Sequence, residues 1–538
     1  MNNVQKPQKI GLFSVIAISV SGIIGSGWMF SAYLGAKEAG SAVYFSWTLA
    51  LIFFLLMALV ISEIVAMYPV RGVVGRLGVI SHNKYFGAIF SFAIWLDFIG
   101  GIPAEAQATV EYMSSLSPSI SNHLMYDGSL TFLGICLTLV ILIIYWVINM
   151  FGIKFFAKIN NVIVVYKFII PVFVGIIIII FCFQIDNFSA FHHSFMPYGA
   201  NSIFMAITAS GMIYAFNGFQ LGTSFASEVK NPAKTLPAGM ILSIIICFII
   251  YILLQTAFIG ALNTKELAST GWHALNFDSP FVKLTSLLGL NFVTLMLYVD
   301  ACISPSGTGI AFVGGTSRVL CGMAREKQMP KIFSKVNKKY NFSSASMLFN
   351  FIIAVCFLFL FHSWANIILF LTSLIILLYM IVPISLVGLR RALPNKKRTY
   401  KLPCAFTFCT ILFIIQSLFF VFVGAKDMLY LTVAITIFMI IFISLNGAKN
   451  SEYKLKDIIY TCLPFIIFLW ILTALICIGP ITYGGCGILN TYTLFISIGV
   501  LSFITFTYVT SSNFVNKCRV IKDSMEPVDL TDETAIEM

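Results

Sequence analysis

From Phe168 to Phe183 the chain carries no charged residue, and runs of this kind recur along its length. A run of about 20 apolar residues is long enough for a helix to cross the ~30 Å hydrocarbon core of a bilayer. About fourteen such runs are expected by that measure, near 11–34, 42–68, 87–116, 130–150, 159–183, 202–226, 237–262, 286–322, 345–362, 365–389, 405–424, 429–446, 459–479 and 491–511. The composition agrees: the chain is 59% hydrophobic and 10% charged, where a soluble domain averages about 45–50% and about 25%. The expectation is an all-α integral membrane protein. Only Lys6 and Lys9 are basic ahead of the first run, which is long and internally broken, unlike a cleaved leader.

Basic residues mark the side on which short loops lie. With the N-terminus inside, one set of loops holds Arg71, Arg76, Lys84, Lys154, Lys158, Lys230 and Lys234, with dense clusters at 325–339 and 390–401. The other set holds only Lys37, Lys265, Lys283 and Lys426. This places both termini in the cytoplasm and the chain in the cytoplasmic (inner) membrane. The net charge of +12 is then a topology signal, and nucleic acid is not an expected partner, because the basic residues flank apolar spans. The cluster at 325–339 is suited to anionic headgroups of the lipid bilayer. The twelve cysteines form no C-x-x-C pair and read as small buried apolar residues. The acidic end, with Asp529, Asp532, Glu533 and Glu537, reads as part of a disordered cytoplasmic tail over 512–538.

Two spans are poor helices. Ser21 to Phe30 reads S-G-I-I-G-S-G-W-M-F, and each of Gly22, Gly25 and Gly27 costs about 1 kcal/mol relative to Ala in a helix. Unwound backbone at membrane depth persists only where protein buries it or a cavity needs it; the competing explanation is close helix packing through small residues. The sixth span repeats the pattern with Gly211, Asn217 and Gly218. Each broken span opens a block of five, near 11–184 and 202–389. Five is odd, so the second block enters the membrane from the opposite side. Paired broken helices at matching positions of two inverted repeats point to a secondary transporter's binding site. The expected organisation is a short N-terminus (1–10), a 5+5 inverted-repeat core (11–390) and additional spans over 405–511.

Charges inside spans are functional suspects. Lys167 stands alone between Lys158 and Asp186. The third span carries Asp97, Glu105 and Glu111 around Pro103; Asp97 and Glu111 are about 21 Å apart along a helix and cannot form an acid–base pair. Asp300 lies in the eighth span, and Glu63, near the end of the second, reads as structural.

At these residues the chain resembles the amino acid–polyamine–organocation transporters. The segment S-G-I-I-G-S-G-W-M-F is similar to their first-helix signature, and F-N-G-F-Q with S-E-V-K-N-P-A-K-T-L-P to their sixth-helix signature. Ser62 to Pro69 and Ser317 to Pro330 agree as well. Ile102–Ala106, Glu111–Ser114 and Asp300–Gly309 most resemble the bacterial aspartate–proton symporter branch. Two positions depart from the usual pattern: Gln220 stands where the family often has Glu, and Gly72-Val-Val-Gly75-Arg76 where it often has G-G-x-Y.

The resemblance implies an amino acid substrate whose two charged ends meet the two broken helices. The α-carboxylate is expected on N–H groups of Gly25, Ser26 and Gly27, since a helix N-terminus binds anions. The α-ammonium is expected on free carbonyls near Ile23, Tyr214, Ala215 and Phe216, with Phe216 either an aromatic lid or ordinary packing, and Gly218 among the substrate-binding residues. In proton-coupled members a fifth-helix lysine fills the place where sodium-coupled relatives hold an ion. Lys167 is therefore expected to face the first break and the hydroxyls of Ser304, Ser306 and Thr308, with Glu105 and Asp300 as further proton-coupling residues, or to form a structural ion pair with Asp300. The expected activity is secondary active transport, as proton symport of aspartate or glutamate or as amino acid exchange, with no cofactor and no metal. An intramembrane hydrolase is disfavoured, because all six histidines fall in loops or at span ends and leave no buried Ser–His pair. A channel is disfavoured because it needs a repeated filter or charge ring.

Overall fold

A computed structural model describes residues 10–68, 73–150, 153–336, 343–396, 398–447 and 455–523. Residues 1–9, Pro69, Arg71, Gly72, Lys338, Lys339 and the acidic end 524–538 lie outside the described residues. The chain begins with α1 (Leu12–Ile23), α2 (Gly27–Ala39), α3 (Val43–Met67), α4 (Leu77–Ser81), α5 (Lys84–Ser114), α6 (Pro118–Leu124), α7 (Phe132–Met150) and α8 (Ile153–Cys182). It continues with α9 (Gly199–Ala209), α10 (Met212–Phe216), α11 (Pro232–Gly260), α12 (Thr264–Thr270), α13 (Pro280–Leu287), α14 (Asn291–Arg325), α15 (Ser344–Leu360) and α16 (Trp364–Ala392). Then follow α17 (Ala405–Val423), α18 (Ala425–Gly447), α19 (Leu455–Cys477), α20 (Thr491–Val509) and α21 (Ser512–Asp523). A two-stranded hairpin pairs Met125–Tyr126 with Ser129–Leu130.

Among the described residues, eleven helical stretches are long and apolar enough to cross a membrane, or up to twelve if the bent pair Gly199–Ala209 and Met212–Thr223 is one span. The expected count of about fourteen is not reached by this measure. Leu12–Ile23 has 12 residues and Ser344–Leu360 has 17, each short for a span, and α2 runs on with α3 as a single stretch, Gly27–Met67.

The helices differ in how deeply they are buried. In α5 and α16, 94% of the most apolar window is buried, against 28% in α7 and 33% in α20. The first two are the central staves, and α5 packs against α7, α14, α15 and α16. Outer helices turn Ile144, Ile440 and Ile496 outward, as expected where the surrounding medium is hydrocarbon.

One end of the bundle is closed by charge. The buried Glu63 carboxylate accepts from Arg390 Nε at 2.8 Å and Nη2 at 2.5 Å, and from the Leu402 N–H at 2.7 Å. Arg398 Nε lies 3.3 Å from the same carboxylate. Its role is structural, since a buried charge persists when it is paired and hydrogen-bonded. At the same end Arg76 meets Glu326 at 2.8 Å.

The expected disordered tail is corrected over 512–523. There α21 buries Phe514, Val515 and Cys518. Asn83 Nδ2 donates to the Cys518 carbonyl at 3.3 Å, and Arg391 Nη1 to the Thr510 carbonyl at 2.5 Å. The acidic residues that dominated the tail reading all lie beyond this helix.

Candidate functional site

The first break lies between α1 and α2. Ile24 leaves the helix with φ −80° and ψ 100°, and α2 restarts at Gly27 after Ser26. The first N–H groups of a helix have no partner within it and are normally satisfied by a capping side chain. The Ser26 side chain does not cap its own helix; its Oγ accepts from the Trp364 indole Nε1 at 2.9 Å. The capping carboxylate comes instead from α5. Glu105 Oε2 accepts from the Ser26 N–H at 3.1 Å, and Oε1 accepts from the Tyr214 hydroxyl at 2.8 Å. Gly25 makes room for it, since a Cβ there would lie 2.9 Å from Glu105 Oε1.

The second break has two parts. Gly211 takes φ +75° and Gly218 φ +105°, left-handed values that glycine adopts freely. Helices α9 and α10 bend by 53°. Asn217 then ends α10 in extended backbone with ψ 141°, and a 3-10 segment follows over Phe219–Glu228.

The two breaks touch through glycines. A Cβ on Gly218 would lie 2.5 Å from the Gly22 carbonyl oxygen, and one on Gly27 would lie 3.2 Å from Ala215 Cα. Small residues therefore do both things the sequence allowed: they open the helices and they pack them together.

Helix α5 serves three helix ends with three carboxylates. Glu105 caps the restart of the first broken helix. Glu111 Oε1 accepts from the Trp364 N–H at 2.7 Å, at the first residue of α16. Asp97 Oδ2 accepts from Asn217 Nδ2 at 3.1 Å, at the second break. The Tyr379 hydroxyl joins this last group, 2.9 Å from both Asn217 Oδ1 and Gln220 Oε1. Each carboxylate is buried, where the loss of hydration must be offset by donors aimed at it.

Lys167 is buried on α8, and its Nζ donates to Thr308 Oγ1. The Thr308 hydroxyl lies 3.5 Å from where a Gly25 Cβ would stand, so the lysine reaches the first break through one hydroxyl. Ser306 Oγ accepts from Tyr145 at 2.9 Å instead. Both Asp300 oxygens and Ser304 Oγ are buried without a hydrogen-bond partner, so Asp300 is not hydrogen-bonded to Lys167.

One sequence expectation changes and another narrows. Three of the four carbonyls expected to be free are engaged: Tyr251 donates its hydroxyl to Ala215 O at 2.7 Å and lies 3.5 Å from Ile23 O, and Tyr214 O accepts the Asn217 N–H at 3.0 Å. Phe216, expected as a lid or as packing, is buried among Phe54, Tyr251 and Trp47, with ring centroids at 5.2, 5.4 and 6.0 Å. Its ring packs against α3, through Trp47 and Phe54, and against Tyr251 of α11. The ring at the first break is Trp364, stacked on Phe30 at 4.4 Å and edge-on to Tyr214 at 6.4 Å.

The family model for amino acid permeases matches residues 10–445. The chain belongs to the amino acid permease family, within the amino acid–polyamine–organocation transporters. The permease is 36% identical over 418 residues to the glutamate/serine transporter AimA of Bacillus subtilis (strain 168), covering 77% of each chain. It is 35% identical over 390 residues to the aspartate-proton symporter of the same organism, covering 72% of this chain and 74% of that one. A branched-chain amino acid permease, BcaP, is similar at 25% identity over 342 residues, or 62% of this chain and 70% of that one. These relatives are transporters and not enzymes, and the permease is an amino acid transporter of this family.

Of the three hydroxyls expected to face Lys167 in the permease, Thr308 is the one it touches; nothing in the sequence pointed to Trp364, Tyr251 or the Asp97–Asn217–Tyr379 group. A tryptophan at the start of a span reads as an interfacial anchor. Only the preceding Ser363, whose Oγ accepts from the Asn366 N–H at 3.4 Å, marked a helix start there.

Proposed function

We propose that the permease carries an α-amino acid across the cytoplasmic membrane by alternating access, coupled to proton symport, with an acidic or small polar amino acid as substrate. The observation that carries this reading is Glu105 on the N–H of Ser26. A helix N-terminus is a seat for a carboxylate, and here the protein's own carboxylate fills the seat that a substrate's α-carboxylate would need. A proton arriving on Glu105 makes it a weaker acceptor, releases the seat and lets the substrate take it. Proton and substrate then load together, which is symport. Lys167, one hydroxyl away, is the second proton-coupling residue, and the unpartnered Asp300 the third. Gly25, Ser26 and Gly27 bind the α-carboxylate, while Ile23, Tyr214 and Ala215 with Gly218 form the ammonium side once the Tyr251 hydroxyl and the Asn217 N–H let go of those carbonyls. The similarity to a glutamate/serine transporter and an aspartate-proton symporter favours this substrate and coupling.

The architecture of this reading is a 5+5 inverted repeat of about fourteen spans, with four added after the core. Counting α1 with α2 and α9 with α10 as broken spans, and α15 as a span, reaches that number. The Glu63 end faces the cytoplasm, following the basic loops.

Counterflow and uptake in liposomes, with and without a pH gradient and across a panel of amino acids, test it. Acidic pH outside should drive accumulation of the acidic substrate. Lys167→Ala should abolish that uphill uptake while exchange persists. Accumulation by Lys167→Ala with unchanged pH dependence would move the coupling to Glu105 and Asp300 alone. Exchange without any response to the gradient would make the protein an antiporter.

A further inference from the structure

Away from the helix breaks, a cavity of about 940 Å³ opens between α15 and α18, floored by α5 and α16. Its lining on α18 runs from Lys426 to Phe442, about 24 Å at 1.5 Å per residue. That is most of the ~30 Å depth of a bilayer core. The walls are apolar through the middle, with Trp95, Phe357 and Phe370 on the core side and Ala434 and Ile437 facing them. Among the described residues, the charged ones that line it, Lys426 and Asp427, stand side by side at one mouth. The floor is fixed: Phe92 stacks on Phe438 at 4.1 Å, and Trp95 Nε1 donates to Asn350 Oδ1 at 3.0 Å.

We propose that this groove is a binding site for a glycerophospholipid with a phosphoethanolamine headgroup. Three features select that occupant. An acyl chain is long, thin and wholly apolar, as the groove is between its ends, so burying it there gains van der Waals contact along its length. The lysine and aspartate at the mouth match a zwitterion, with phosphate against Lys426 and ammonium against Asp427. An anionic glycerol headgroup would satisfy the lysine and leave the aspartate facing like charge. The site also gives the spans after the core a task. Helix α18 is one wall, α15 the other, and the lipid fills the seam between the added helices and the core. The proposal does not rest on the substrate or the coupling given above.

The test uses the full-length permease, extracted from membranes in mild detergent and examined by native mass spectrometry. The wild-type protein should retain a single phosphatidylethanolamine through delipidation. Ala434→Trp, which fills the groove midway, should lose it while keeping amino acid uptake. Lys426→Ala with Asp427→Ala should lose the preference for phosphatidylethanolamine over phosphatidylglycerol. A second measurement does not depend on a bulky variant: in phosphatidylethanolamine vesicles with brominated chains, wild-type tryptophan fluorescence should be quenched more than that of Trp95→Phe. Equal lipid retention by wild type and Ala434→Trp would overturn the site, as would equal quenching of wild type and Trp95→Phe. A preference for phosphatidylglycerol, or a second copy or small protein displaced by Ala434→Trp, would overturn the occupant.

Discussion

The two breaks solve the same problem by opposite means. At the first, Ile24 leaves the helix in ordinary extended backbone, and the exposed N–H is satisfied by a carboxylate borrowed from α5. At the second, the backbone is forced through φ +75° and +105°, and its Ala215 carbonyl is satisfied by the Tyr251 hydroxyl. The first break is thus held by side chains that can let go, and the second by glycine conformations that cannot be imitated. Release belongs to the first and rigidity to the second.

The sharpest way to break this comparison is to put the same methyl group on each side. Gly218→Ala combines a left-handed backbone with a Cβ 2.5 Å from Gly22 O, so we expect at least ~2 kcal/mol of destabilisation and loss of uptake. Gly25→Ala meets the end of the Glu105 side chain at 2.9 Å and Thr308 at an ordinary contact distance of 3.5 Å, and should keep its thermal midpoint in detergent near that of wild type. Matching thermal shifts for the two variants would erase the distinction.

A middle-sized effect is expected at the releasable contact itself. Glu105→Gln keeps an oxygen for the Ser26 N–H but cannot carry the exchangeable proton. Substrate should bind more tightly at neutral pH, by about tenfold (~1.4 kcal/mol), because a neutral amide competes less well for the seat than a carboxylate does. The pH dependence of binding should flatten at the same time. Weaker binding with an unchanged pH profile would show that Glu105 supports the break without competing for it.

The smallest effect is expected at Trp364. Trp364→Phe keeps a ring to stack on Phe30 and removes the bond to Ser26 Oγ, a loss of about 1 kcal/mol for one hydrogen bond. Uptake should fall a few-fold at matched expression, with no change in pH profile. A total loss would make the indole part of the seat.

What the sequence revealed and what it hid divide along the distance between partners. Apolar runs and glycine spacing are local, and they located both breaks and the eleven to twelve long apolar stretches among the described residues. The charges at Glu105 and Lys167 were suspect because hydrocarbon makes any charge conspicuous. Their partners were not legible. Ser26 and Glu105 are 79 positions apart, and Ser26 and Trp364 are 338 apart, so no periodicity links them. The choice between lid and packing at Phe216 was not legible for a related reason, since the direction of a ring on a five-residue helix between two bends depends on angles that spacing does not encode. The helix at 512–523 was hidden because its apolar face, Phe514, Val515 and Cys518, is short and is followed by acidic residues.

One helix, α5, touches both breaks and the start of α16, so their movements are geared to a common shaft. A perfectly stiff shaft would have to let go of Asn217, Ser26 and Trp364 at one instant. Pro103 prevents that stiffness: it supplies no N–H to the Ile99 carbonyl one turn back, and it falls between Asp97 and Glu105. Bending is cheapest at that point. In the alternating-access cycle proposed above, a bend there would let the Asp97 contact disengage while Glu105 and Glu111 hold, and the reverse, so that the two ends of the path would open in sequence.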